Sequence, residues 1–150
     1  MPLTTTNELN PEYRQIEPYW DRLDSPAKYY ARNQRAPVGM KNSKDVEISV
    51  VMPVFNGQRY LESAIDSILR QTFGRFEFII IDDGSMELVK DICDKYKNEN
   101  LIYIVNKVNL GGAESRNIGI NISNGKYIAF LDDDDVWLPH KINEQVKLLE

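Results

Sequence analysis

One cysteine, one histidine and no long apolar run define what this chain of 150 residues cannot be. With Cys93 alone, an intrachain disulfide is impossible, which suits a reducing compartment. No stretch approaches the roughly 18 apolar residues of a membrane helix. Met1-Pro2-Leu3-Thr4-Thr5-Thr6 lacks the basic start and apolar core of a signal peptide. The expectation is a cytoplasmic chain without a membrane span, any membrane association coming from parts beyond Glu150. A basic excess is also missing. The net charge is −5 and the pI about 5.0, which argues against nucleic acid as the main partner, since phosphate binding needs a basic face. Nor is there a full dinucleotide fingerprint, because Gly111-Gly112 lacks the required glycine spacing.

The charge that is present is uneven. Residues 1–45 hold seven basic and six acidic side chains, leaving eleven and seventeen for 46–150. The first segment also carries Pro2, Pro11, Pro18, Pro26 and Pro37 of the chain's seven prolines. It reads as a leader, partly helical around Tyr19, Trp20, Leu23, Tyr29 and Tyr30, joined by a linker over 38–43. From Val46 the pattern becomes regular. Apolar, β-branched runs predict strands over 47–52, 76–82, 101–105 and 126–131, the first ended by Pro53. Helical spacing of Leu61, Ala64, Ile65, Ile68 and Leu69 predicts a helix over about 58–71. Leu88, Ile92 and Tyr96 predict a second, with Ser85 as its N-cap. A third follows Gly111-Gly112 over about 113–122. A fourth bears Ile142, Val146 and Leu149, with Pro139 in its first turn. Such alternation predicts an α/β fold with a mostly parallel sheet covered on both faces, and ligands then bind beyond the carboxyl ends of the strands.

Those ends are polar: Pro53-Val54-Phe55-Asn56-Gly57, Asp82-Asp83-Gly84-Ser85, Asn106 with Asn109-Leu110-Gly111-Gly112, and Asp132-Asp133-Asp134-Asp135. Taken singly, Asp82-Asp83-Gly84 reads as a turn and Gly111-Gly112 as a helix start. The four aspartates differ, because they are pinned between the apolar run Tyr127–Leu131 and Val136-Trp137-Leu138-Pro139. Adjacent carboxylates there repel unless a cation binds or one takes a proton. Hard oxygen donors suit Mg²⁺ or Mn²⁺, bound through one or two carboxylates and substrate phosphates. His140 reads as a helix-surface residue.

Five segments in order resemble family 2 glycosyltransferases of the GT-A fold: 48–57, 67–73, 78–85, 109–119 and 127–135. The resemblance implies a Rossmann-like sheet of order 3-2-1-4, with 46–150 as the nucleotide-sugar-binding part of a domain whose C-terminal half is missing. It implies that Pro53, Phe55 and Asn56 line the nucleotide, with Phe55 stacking on the base and Asp83 accepting from a uracil-type ring. Arg116 would face the phosphates. Asp132-Asp133-Asp134 fills the Asp-x-Asp motif, with Asp134 and Asp132 as ligands of Mn²⁺ or Mg²⁺ and Asp132 and Asp133 beside the nucleotide. Two positions depart from the family pattern: Met86-Glu87 stands where Thr-Asp is common, and Ser115 where Ala is common.

The implied activity is inverting transfer of a sugar from a nucleoside diphosphate donor, a UDP-sugar, to the hydroxyl of a glycan or lipid-linked acceptor. The catalytic base is expected beyond Glu150. Two alternative readings are a non-catalytic nucleotide-binding or docking module of the same fold, and a haloacid dehalogenase-type phosphatase with Asp-x-Asp-x-Val at a strand end. The apolar strand 126–131, left at an open edge, predicts self-association.

Overall fold

The computed structural model describes residues 46–86, 89–96 and 101–150. The leader 1–45 and Leu88 lie outside the described residues. The element order is β1 (Ile48–Val54), α1 (Gln58–Leu69), β2 (Phe76–Asp82), α2 (Val89–Asp94), β3 (Leu101–Val105), α3 (Gly112–Ile122), β4 (Tyr127–Phe130) and α4 (Lys141–Leu149). The four strands form one parallel sheet of order β3-β2-β1-β4, as expected. Period-two alternation divides the strand side chains between two cores. Val50, Met52, Val54, Phe78 and Ile80 pack with Leu61, Ile65 and Ile68 of α1, Ile92 of α2, and Ile142 and Val146 of α4. Val51, Ile79, Ile81 and Ile104 pack against Ile118 and Ile122 of α3. Both faces are therefore covered, which is why β1 and β2 read as continuous apolar runs.

Chain direction across the sheet reverses after β3, and β4 lands beside β1. The topological switch point thus lies between β1 and β4, where an open α/β sheet places its ligand. Among the described residues β4 is an edge strand, and Phe130 at its end is exposed.

Several boundaries differ from expectation for local reasons. β1 continues through Pro53 to Val54, paired with Ile81 and Asp82. Glu47 and Val51 direct their carbonyls toward β4, and Pro53 shares their parity. β4 ladder pairing stops at Phe130 opposite Val51, so the missing proline N–H costs no ladder bond. α2 ends at Asp94, where Lys95 and Tyr96 donate to Ile92 and Cys93 in a tightened last turn. The Ser85 hydroxyl accepts from Asn56 N at 2.9 Å, and its expected capping partners at 87 and 88 lie outside the described residues. Pro139 precedes α4 instead of lying in its first turn. Its carbonyl accepts from Thr72 N at 2.9 Å, which turns the chain before His140 begins the helix.

The amino ends of the strands hold a buried polar knot that the apolar pattern conceals. Glu77, fully buried in β2, accepts from Ser49 Oγ at 2.5 Å and from Asn124 N at 2.6 Å. Gly125 N donates to Ser49 Oγ at 2.9 Å. A Cβ at Gly125 would meet Ser49 N at 2.5 Å and Ile48 C at 2.7 Å, both backbone atoms that cannot step aside. Gly125→Ala is expected to destabilise the fold by about 1–3 kcal/mol, as overpacking does. A lowered urea midpoint checks this, and an unchanged midpoint contradicts it.

Candidate functional site

The carboxyl ends of the strands carry four loops, and hydrogen bonds join them in pairs. After β1 the chain turns at Asn56, the one described non-glycine residue with positive φ, at 52°. Asparagine tolerates that conformation, and here its side chain is used as well. Asn56 Oδ1 accepts from Met86 N at 3.1 Å while Asn56 N donates to Ser85 Oγ, locking the β1 loop to the β2 loop. Phe55, just before, is about half exposed (52%), so its ring is open to a stacking partner. Pro53 is partly buried at the end of β1.

Asp82, which ends β2, and Asp83, which follows it, are both buried. Asp82 accepts from Tyr103 Oη at 2.5 Å and from Ser85 N at 2.8 Å, an internal brace. Asp83 reaches the next loop. Its Oδ1 accepts from Asn106 Nδ2 at 2.9 Å and Leu110 N at 2.8 Å, and its Oδ2 from Gly111 N at 2.8 Å. A carboxylate offers about four acceptor positions, so one remains on Oδ2. Asn106 Nδ2 also lies 3.4 Å from Ser115 Oγ in the first turn of α3. The hydroxyl of Ser115, where the family commonly has alanine, therefore has a partner.

On the other side of the switch point, Asp132–Asp135 form a tight turn closed by Asp135 N donating to Asp132 O at 3.1 Å. The turn separates the four side chains. Asp132 Oδ1 is 2.7 Å from Arg116 Nη2, an ion pair between α3 and the end of β4. Asp133 lies half-buried against Gly57, where an added Cβ would sit 1.8 Å from Asp133 Oδ2. Burial raises the Asp133 carboxyl above its ordinary value, with the neighbouring charge of Asp134 next, while backbone donation from Phe55 offsets part of this. Asp134 and Asp135 are exposed. Behind the turn, Ser67 and Gln71 of the 67–73 segment hold the return to α4: Trp137 N donates to Ser67 Oγ, and Gln71 bridges Leu138 O and Ile142 N. His140 is exposed, with Nδ1 3.2 Å from Thr72 Oγ1. The buried Cys93 thiol is pushed up to about 12 by burial, then by the Asp82 and Asp94 charges, so it stays protonated and is no nucleophile.

The expected residues thus fall into two groups: Pro53, Phe55, Asn56 and Asp83 on the loops after β1 and β2, and Arg116 with Asp132, Asp133 and Asp134 at the start of α3 and on the acidic turn. Asn106 and Gly57 stood among the polar strand ends without an assigned role. A Gly-containing loop facing an acidic turn is the only sequence trace of the second, and an Asn after β3 the only trace of the first. Among the described residues, no three His, Cys, Asp or Glu side chains converge as a ready metal cage.

A parallel 3-2-1-4 sheet covered by helices on both faces is the architecture of GT-A glycosyltransferases. The sequence matches Glycosyl transferase family 2 over residues 49–150, and the chain belongs to that family. An uncharacterized glycosyltransferase of Rickettsia bellii is 41% identical over 107 residues, which cover 71% of this chain and 16% of the relative. An Escherichia coli protein named UDP-Glc:alpha-D-GlcNAc-diphosphoundecaprenol beta-1,3-glucosyltransferase WfaP is 37% identical over 103 residues, 69% of this chain and 41% of the relative. Among solved structures, Staphylococcus aureus TarS 1-349 in complex with UDP-GlcNAc superimposes with a TM-score of 0.67 at 27% identity, covering 69% of this chain and 31% of that one. The chain therefore spans well under half the length of these relatives. The phosphatase alternative finds no support in any of these likenesses.

Proposed function

We propose that residues 46–150 bind the donor for transfer of a sugar from a UDP-sugar to an acceptor hydroxyl, with inversion, in the synthesis of a glycan or a lipid-linked glycan. The observation that carries this reading is the pairing of loops across the switch point: Arg116 on Asp132, and Gly57 on Asp133. The choice of UDP is supported by the donor named for the E. coli relative and by the nucleotide sugar in the TarS complex.

In this reading Phe55 stacks on the base, Pro53 and Asn56 shape the wall beside it, and the spare acceptor position of Asp83 faces the uracil N–H. Arg116 serves the diphosphate. Its ion pair with Asp132 is partly exposed and worth at most about 1 kcal/mol, so the guanidinium exchanges readily onto a phosphate oxygen. The donor set fits a hard divalent ion: Asp132 and Asp134 present carboxylate oxygens on one turn, and such ions take one or two carboxylates and complete their shell with phosphates and water. When bound, Mn²⁺ or Mg²⁺ supplies Lewis-acid neutralisation of charge on the diphosphate leaving group. The carboxylate that deprotonates the acceptor is not proposed among residues 46–150.

Titration of the chain with UDP, GDP and CDP in Mn²⁺ tests the nucleotide assignment. UDP should bind most tightly, and a preference for GDP or CDP would refute the uracil pocket. Gly57→Ala provides a local check. Its backbone φ of −84° accepts alanine, so the strain falls on the movable Asp133 side chain. Stability should change by less than about 1 kcal/mol, while UDP affinity in Mn²⁺ falls several-fold. Unaltered affinity would remove Asp133 from the site.

A further inference from the structure

Arg116 is useful only if α3 starts in the right place, and what starts α3 is a chain of buried polar contacts. Asp83 directly follows β2 and its carboxylate takes the backbone N–H groups of Leu110 and Gly111, the two residues that lead into α3. Gly111 adopts φ 93°, a conformation that alanine and larger residues resist, so this turn is not held by local preference alone. α3 has no side-chain cap of its own. Asn106 donates to the same Asp83 oxygen and, at 3.4 Å, contacts Ser115 one residue before Arg116. Asp83, Asn106 and Ser115 are all buried, so the side-chain contacts are shielded from water, while the two backbone contacts are partly buried.

We infer that Asp83, acting through the 110–111 backbone and through Asn106 and Ser115, is the positioning residue for Arg116, and thereby couples the base side of the donor site to its diphosphate side. This rests on the donor-site reading above for its consequence, although the clamp itself is independent of any nucleotide. The Leu110 and Gly111 amides that a glycine loop could offer to a phosphate are instead spent on Asp83. The diphosphate is then left to Arg116 and the acidic turn. A loosened clamp would therefore weaken contacts on the far side of the site from Asp83.

The test compares Asp83→Asn, Ser115→Ala and Arg116→Ala in the full chain. Asp83→Asn keeps one carboxamide oxygen for the Asn106 and Leu110 donors and turns an NH₂ toward Gly111 N in place of Oδ2, so exchange of the Gly111 amide should accelerate about tenfold, the equivalent of about 1.4 kcal/mol. The Arg116 guanidinium NMR signals, restrained in the native chain by Asp132, should average toward those of a free arginine. UDP affinity should fall more than uridine affinity, and that excess should vanish in an Arg116→Ala background. Unchanged Arg116 signals, or losses that simply add, would overturn the inference. Should Asp83→Asn fail to fold, Ser115→Ala decides: it removes one hydroxyl, and Arg116 should gain mobility while the Leu110 and Gly111 amides stay protected. Retained Arg116 restraint in that variant would overturn the inference equally. Exchange and guanidinium signals need no nucleotide, so a native chain that ignores UDP would refute the proposed function and leave these two readouts standing.

Discussion

Replacing Asp83 by alanine is expected to lower the unfolding free energy by about 3 kcal/mol, since it strips the acceptor from three partly or fully buried donors. Each orphaned donor costs about 1–3 kcal/mol, and water entering the space left by the carboxylate recovers part of that. The donors are Asn106 Nδ2, Leu110 N and Gly111 N. A urea titration with an unchanged slope and a lower midpoint would establish the loss. A shift below about 1 kcal/mol would mean that the three bonds are made as easily with water, and that Asp83 is free to serve a ligand alone. Asp83 is thus expected to carry both the stability of the α3 start and part of the donor site, and its alanine variant should lose both.

Asp134→Ala should do the reverse. Asp134 is exposed on the acidic turn and has no described hydrogen-bond partner to abandon. Removing one of four neighbouring carboxylates relieves repulsion, so stability should hold or rise slightly. The expected loss is confined to metal-dependent binding: about 1–3 kcal/mol of UDP affinity in Mn²⁺, with the metal-free affinity little changed. Equal losses with and without Mn²⁺ would show that Asp134 contacts the nucleotide directly.

Much of the fold was legible because its signals are local. The β-branched runs of β1 and β2, and the spacing of Leu61, Ala64, Ile65 and Ile68, specify elements without reference to partners. The four strand-end segments were legible too, since a parallel sheet sends all of its strand ends to one side. What escaped was whatever depends on a partner distant in sequence. Pro53 read as a strand terminator because its freedom comes from the short β4 ladder, which ends at Phe130, far later in the chain. Glu77 lay inside an apolar run, and its neutralising donors Ser49 and Asn124 are 28 and 47 residues away. Asp83 was recognised as a site residue, but its clamp uses backbone N–H groups, which no side-chain pattern reveals.

The central claim is that this acidic turn and its facing loops form a metal-assisted donor site. Calorimetric titration of the unmodified chain with UDP, with and without Mn²⁺, tests it most directly. The account predicts saturable binding that tightens about tenfold or more when Mn²⁺ is present, a gain of about 1.4 kcal/mol. Binding that is indifferent to Mn²⁺, or no binding of UDP, GDP or CDP under either condition, would contradict it.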